Sequence, residues 1–414
     1  MPVKRFPSDV TAAEIRSLSP DPPVTEIAEI LSEVKAGGDR AVLEFEHRFA
    51  GAPLPAPDAR LAVVDPEFVA GAPGRINSEL RAALELAIEN VSSVARSQID
   101  GDQKIDLPQG QTLEYVGVPL ARAGVYVPGG RGAYPSTAVM CLATARAAGV
   151  ESICVVSPAR AQGEVDPTVA AVCALLEVNE LYAIGGAQAV AALGFGTETM
   201  AAVDVIVGPG NSYVQEAKRQ LVGRVGIDGV AGPSELVVVA DAHADPRAIA
   251  LDLLAQGEHG PDSLVVLVSP DPAVLDDVIE RSGGIGAEMA VVLAHDIESA
   301  VALADAIAPE HLQISTDQET ARRLADSVTR AGCVFLGPNG ATAFGDYVAG
   351  SNHVLPTGGA ARYASALSAT TFRRRTARVT IPDSAVVPLA RAGAIIAHAE
   401  GFSLHAKSME ARNK

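Results

Sequence analysis

From Thr112 onward, short apolar runs alternate with helical stretches, and this alternation limits the possible folds more than any other feature of the chain. The first runs are Gly124–Val127, Ser152–Val156, Leu181–Ile184 and Val203–Val207, with helical stretches beginning near Pro135, Pro167 and Ala187. A second set follows at Leu236–Ala240, Leu264–Val268, Ala290–Leu293, Leu312–Ser315 and Cys333–Leu336, with helices expected over 246–256, 272–281, 298–307 and 318–328. Strand, helix and strand in repeating order build a parallel sheet covered by helices. Two such α/β units are expected, joined near residues 231–235.

Composition supports this reading. Apolar residues make up 48% of the 414, yet aromatics only 4% and Trp is absent. Buried layers must therefore be built from Ala, Val, Leu and Ile, as in parallel sheets. The length is enough for two or three domains. Acidic residues outnumber basic ones by 50 to 32, a formal charge of −18. With no basic stripe interleaved with aromatics, nucleic acid is excluded as a partner class. The one basic run, Arg373-Arg374-Arg375, reads as a solvated strand end. Cys141, Cys154, Cys173 and Cys333 have no paired spacing and read as reduced thiols. The N-terminus has no apolar signal core, and no apolar run reaches the roughly 18 residues needed to span a bilayer. A cytoplasmic protein is expected.

Outside the repeating region, residues 1 to about 110 read as helical. Val24–Lys35 and Asp39–Phe49 flank a break at Gly37-Gly38, and a longer helix runs from Asn77 to about Arg96 with one apolar face. No chemistry is evident there. Beyond about 366 the pattern gives a short strand near Val379–Ile381 and helices over 384–399 and 404–412, a tail too small to fold alone.

Three strands of the first unit end in glycine-rich turns: Pro128-Gly129-Gly130, Gly185-Gly186-Ala187-Gln188 and Gly208-Pro209-Gly210-Asn211. In a parallel sheet these lie at the carboxyl ends of strands, where ligands bind. Glycine permits close backbone approach, and the helix after Gly210 offers N–H groups to a phosphate. None matches G-x-G-x-x-G, and taken singly each is ordinary turn chemistry. Together they point to a nucleotide or another phosphate ligand.

Ionisable groups gather in the second half. Gln256 and His259 lie three apart where a helix starting at Asp245-Pro246 should end, before Gly260-Pro261. As an isolated pair they would only cap a helix. Glu310-His311 places acid beside imidazole, a candidate acid/base pair. Asp346 and His353 share a glycine-rich loop, and Glu400 and His405 flank the join of the tail helices. His47, His243, His295 and His398 have no such setting. Gln, His, Asp and His together would make an N/O shell suited to zinc or manganese.

The ordered motifs Gly124-Val125-Tyr126-Val127-Pro128-Gly129-Gly130, Gly185-Gly186-Ala187-Gln188-Ala189, Val207-Gly208-Pro209-Gly210-Asn211, Ala231-Gly232-Pro233-Ser234-Glu235, Gln256–Asp262, Pro309-Glu310-His311-Leu312, Ser351–Thr357 and Glu400–His405 resemble those of the L-histidinol dehydrogenases over nearly the whole chain. The resemblance implies two Rossmann-like, aldehyde-dehydrogenase-like units with small terminal helical extensions. It implies zinc- and NAD-dependent oxidation of L-histidinol through L-histidinal to L-histidine, the last step of histidine biosynthesis. The implied metal ligands are Gln256, His259, Asp346 and His405, which also meet the substrate. Glu310 and His311 would be the acid/base pair, with Glu310 also touching substrate. Ser234, His353 and Glu400 would hold substrate, and Tyr126, Gln188 and Asn211 would contact NAD. The family is homodimeric, so Glu400 and His405 would act in the other chain's site.

The implied domains are an extension at 1–21, a catalytic unit of 22–125 plus 235–366, an NAD unit at 126–234, and a tail at 367–414. Two departures stand out: Arg374 where the family has lysine, and an altered turn at Gly129-Gly130-Arg131-Gly132. Competing classes are a related dehydrogenase for another small alcohol, a zinc hydrolase using Glu310, and a non-enzymatic metal-binding module. Ser234, His353 and Glu400 argue against the first, the glycine turns against the second, and the Glu310-His311 pair against the third.

Overall fold

The structure is a computed structural model and describes residues 3–19, 27–129, 132–160, 164–283 and 286–413. The expected boundary between residues 21 and 22, and the altered residues Gly130 and Arg131, lie outside the described residues. Strands are numbered along the chain: β1 (Val3–Phe6), β2 (Gln103–Asp106), β3 (Thr112–Pro119), β4 (Arg122–Tyr126), β5 (Ser152–Val156), β6 (Glu180–Tyr182), β7 (Val205–Val207), β8 (Gly226–Ile227), β9 (Glu235–Ala240), β10 (Leu264–Ser269), β11 (Glu288–Leu293), β12 (His311–Ser315), β13 (Cys333–Leu336) and β14 (Arg373–Thr380).

Both expected parallel sheets are present. The first has the order β6-β5-β4-β7-β8, and the second β1-β11-β10-β9-β12-β13. Every residue of β9 and β10 is buried, which is why these strands read as unbroken Val- and Leu-rich runs. Three of the helices between strands start on Asp-Pro pairs. Asp166, Asp245 and Asp271 each accept a backbone N–H two residues on, and proline follows where no N–H is needed.

Three features of the terminal regions differ from the expectation. The first 110 residues are not wholly helical: β1 adds a parallel edge to the second sheet beside β11, and β2 pairs with β3. The strand expected near Val379–Ile381 is longer and earlier, because β14 runs antiparallel along all of β3. These largely polar and exposed strands have no apolar periodicity to announce them. Arg373 at the start of β14 donates to the carbonyls of Ala148 and Gly117, while the exposed Arg374 side chain donates to Thr376.

The helix Ala28–Ala50 bends at Gly38, at the expected break, where φ is 54°. Its Ile30, Leu31 and Val34 share a core with Tyr126, Val156 and Val190, on one face of the five-stranded sheet. On the other face, Leu84, Ala87 and Val91 of the helix Ser78–Ser97 pack with Val125 and Val155. Both long N-terminal helices thus pack on the five-stranded sheet. Amphipathic helices declare a buried face but not which sheet covers it.

In the first sheet the order reverses between β4 and β7, the place where open parallel sheets hold ligands. The turn after β7 passes directly beneath β4. Gly208 has φ 111°, and a Cβ there would collide with the carbonyl oxygen of Tyr126. Its N–H donates to Asp228 at 2.7 Å and its carbonyl accepts from Lys218 at 3.0 Å. Lys218 and Asp228 themselves form a buried ion pair. Gly208→Ala is expected to cost about 3 kcal/mol, from left-handed strain plus the clash. A urea unfolding midpoint equal to that of the parent protein would contradict this.

Candidate active site

The polar groups of the second unit converge at the amino ends of β9 and β12, adjacent strands in which His311 pairs with Leu236. Ser234 lies just before β9 and Glu310 just before β12. The Ser234 hydroxyl donates to Glu310 Oε2 at 2.6 Å, and the Glu235 N–H donates to the same oxygen at 2.9 Å. Gln256, in the last turn of the helix Pro246–Gly257, donates from Nε2 to Ser234 Oγ at 2.6 Å. Because the serine hydroxyl's single proton goes to Glu310, it must accept from the amide. The amide NH₂ therefore faces Ser234, and the amide oxygen is left as an electron-pair donor.

His311 is buried, and its Nδ1 lies 3.1 Å from the carbonyl oxygen of Glu235. A carbonyl can only accept, so Nδ1 carries the proton and Nε2 keeps its lone pair. That nitrogen faces the Asp346 carboxylate at 3.7 Å. His353 repeats the arrangement: its Nδ1 donates to the Asp346 carbonyl at 2.8 Å, and Nε2 lies 3.3 Å from Thr137 Oγ1. Burial lowers the His353 pKa, against a raising effect from the Asp346 carboxylate, and the His311 and His259 rings lower it further. His259, His311, Asp346 and His353 thus share one neighbourhood. Glu310 is held above the ordinary glutamate range, chiefly by burial, with His311, the Ser234 hydroxyl and the Glu235 N–H pulling the other way. A carboxylate raised in this way is poised to act as a base.

The cofactor candidates lie apart from this cluster, at the carboxyl edge of the five-stranded sheet. Tyr126 and Gln188 are both buried around Glu46. The Tyr126 hydroxyl accepts from the Gly186 N–H at 3.1 Å. Glu46 Oε1 accepts from the Gly185 N–H at 3.0 Å and from Gln188 Nε2 at 2.8 Å. Burial raises the Glu46 carboxyl and pushes the Tyr126 phenol up to about 12. Asn211 is exposed and caps the helix Ser212–Leu221 through its side-chain oxygen. Glu46 had no signal in the sequence beyond its place on an amphipathic helix.

Glu400 and His405 stand exposed on the tail. The structure does not bring them to the cluster by any described contact, and His405 packs against Phe402. Among the described residues, no three His, Cys, Asp or Glu side chains stand close enough to hold a metal ion. The cluster offers an amide oxygen on Gln256, an imidazole on His259 and a carboxylate on Asp346, with only the last two of those types. This neutral-and-anionic N/O set suits zinc or manganese and leaves room for a donor from elsewhere.

Two parallel α/β units, one with glycine turns at its switch point and one carrying an acid/imidazole pair, define an oxidoreductase of the Rossmann-like class. The family profile of histidinol dehydrogenase matches residues 19–413. The histidinol dehydrogenase of Pseudomonas aeruginosa is 40% identical over 411 residues, covering 96% of this chain and 92% of that one. That of Gluconobacter oxydans is 39% identical over 402 residues, covering 93% and 92%. A crystal structure of histidinol dehydrogenase from Elizabethkingia anophelis superposes with a TM-score of 0.91 at 28% identity, covering 99% of this chain and 98% of that one. The chain belongs to the histidinol dehydrogenase family.

Proposed function

We propose that this enzyme oxidises L-histidinol to L-histidine through L-histidinal, a four-electron reaction that reduces two NAD at the end of histidine biosynthesis. The observation that carries this reading is the chain Gln256–Ser234–Glu310 set beside His311, whose Nε2 lone pair faces Asp346. In the proposed division of labour, 126–234 carries NAD, 235–366 carries the metal and catalytic groups, and the tail from 367 completes the site of a second copy. A cytoplasmic location belongs to the same proposal, in keeping with four unpaired cysteines. No helix among the described residues is long and apolar enough to cross a membrane.

Gln256, His259 and Asp346, with His405 supplied by a second copy, would hold zinc. When bound, zinc would supply a fixed positive template for the substrate's amino and imidazole nitrogens, and NAD would accept hydride. Ser234, His353 and Glu400 would hold the substrate. Tyr126, Gln188 and Asn211 would form the NAD side of the cleft. His311 Nε2 takes the carbinol proton as hydride leaves the same carbon. Glu310, whose Oε2 already has both its donors, removes a proton from the water that attacks the aldehyde while His311 returns its proton to the aldehyde oxygen, and His311 Nε2 then takes a hydroxyl proton of the hydrate as the second hydride leaves.

The dimer is supported by the tail itself. Its helices Asp383–Ala399 and Ser403–Glu410 close on a small core of Ala394, Ala397, Ala406 and Met409. Val387, Ile395, Ile396, Phe402 and Leu404 remain exposed, an apolar surface that a second chain would cover.

The test is NADH formed per L-histidinol consumed, before and after chelation and with zinc restored. Two NADH per substrate, lost and regained with metal, is the expected result. A protein that forms no NADH from histidinol would overturn the substrate, and full activity after complete metal removal would overturn the zinc.

A further inference from the structure

Arg16 ends the short helix Ala12–Arg16 in the N-terminal region, where the sequence showed no chemistry. Its guanidinium is nevertheless spent entirely on the catalytic unit. Nη1 and Nη2 grip the Glu235 carboxylate at 2.7 and 3.0 Å, Nε donates to the Ile307 carbonyl at 2.7 Å, and Nη2 also donates to the Ala308 carbonyl at 3.0 Å. Glu235 is 2% exposed. Its carboxylate also accepts the N–H of Gly358 at 3.0 Å and that of Glu310 at 3.3 Å. Its own main chain holds both reacting side chains, since its N–H donates to Glu310 Oε2 and its carbonyl accepts from His311 Nδ1.

Glu235 and Glu310 are therefore clasped reciprocally, each main-chain N–H donating to the other's carboxylate. Arg16 closes the clasp from behind. It also holds the turn that feeds β12, where Ala308 sits at φ 53°, a left-handed conformation costly for alanine. Such a conformation persists only where the surroundings over-determine it, and two of the carbonyls that fix this turn point at one guanidinium. A planar fork can make these bonds together, and a lysine ammonium cannot.

We infer that Arg16 and Glu235 are positioning residues, which hold Glu310 and His311 in reacting geometry by clamping the amino ends of β9 and β12 together. The inference rests on the roles proposed above for Glu310 and His311. Neither Arg16 nor Glu235 needs to touch substrate. Arg16 fixes Glu235 and the 307–308 turn, and Glu235 sets both the Glu310 carboxylate and the His311 tautomer.

The experiment compares wild type with Arg16→Ala, Arg16→Lys and Glu235→Gln, measuring kcat and KM with and without added guanidinium. In parallel, imidazole spectra of protein labelled with heavy-nitrogen histidine report the His311 tautomer, assigned by loss of its signals in His311→Asn. Arg16→Ala is expected to lower kcat by about 100-fold, as misplacement of reacting groups does, with KM little changed. Guanidinium should restore much of that loss, Arg16→Lys should not, and the His311 spectrum should change from one Nδ1–H tautomer to a mixture.

A Gln amide accepts at only one of the two carboxylate positions, so Glu235→Gln unpairs one edge of the Arg16 fork and loosens the clamp without leaving a buried carboxylate unpaired; it serves if Arg16→Ala does not fold. Wild-type kcat together with a wild-type His311 spectrum in the folded variant overturns the inference. A wild-type enzyme that does not oxidise histidinol would sink the functional reading instead. The His311 spectrum needs no turnover, so it would still decide the positioning role.

Discussion

Replacing His311 with Asn is expected to lower turnover of histidinol by about a thousandfold, within the range a general base contributes. The substitution is chosen for its geometry. The Asn amide N–H can occupy the position of Nδ1 and keep the bond to the Glu235 carbonyl, so the buried pocket retains its acceptor's partner. What is lost is the basic nitrogen at the Nε2 position, beside Asp346. Because the residue is buried at the start of a central strand, a melting curve must accompany the kinetics. A folded variant that turns over at more than about a tenth of the wild-type rate would remove His311 as the base.

Glu310→Gln is expected to divide the reaction. With no carboxylate to activate water, the first hydride transfer can proceed while hydration of the aldehyde slows by about 100-fold or more. NADH per histidinol consumed should fall from two towards one, and aldehyde should become trappable in solution. Unchanged stoichiometry would place the water-activating base elsewhere. The fold should tolerate the change, because Ser234 and the Glu235 N–H both donate to a single oxygen, which a Gln amide can replace.

The sign of the stability effect follows from burial. Glu310 is raised in the folded protein, so the native state holds its proton to higher pH than the unfolded chain does. Its contribution is fully present below the unfolded glutamate pKa and is lost as pH rises through the folded value. The Gln variant lacks this loss. It should gain stability relative to wild type as pH rises above the ordinary glutamate range, and denaturant midpoints taken across that range would show it.

Much of the site was legible because its members are polar groups in places where polar groups are conspicuous. Gln256 and His259 end a helix whose start, apolar face and stop are all written locally, and Glu310-His311 interrupts an apolar run at a strand edge. The central strands were legible for the complementary reason. A strand buried on both faces, such as Leu264–Ser269, is apolar without a break as far as Val268. The edge strands β1 and β2, and the part of β14 before Val379, escaped notice because pairing at an exposed edge needs only backbone groups, which every residue has.

By itself, then, the sequence determined the class of architecture, the order of the central strands and helices, and the family. These rest on hydrophobic period, turn chemistry and motif order, all of which act over a few residues. Tertiary structure alone decided which sheet each amphipathic helix covers, that the long N-terminal helices pack on the five-stranded sheet, and that the second unit's groups meet at the amino ends of its strands. It alone paired Arg16 with Glu235 across 219 positions, and Glu46 with Gln188 across 142. A buried carboxylate must find its donors wherever the fold brings them, and no local pattern in the chain records that choice.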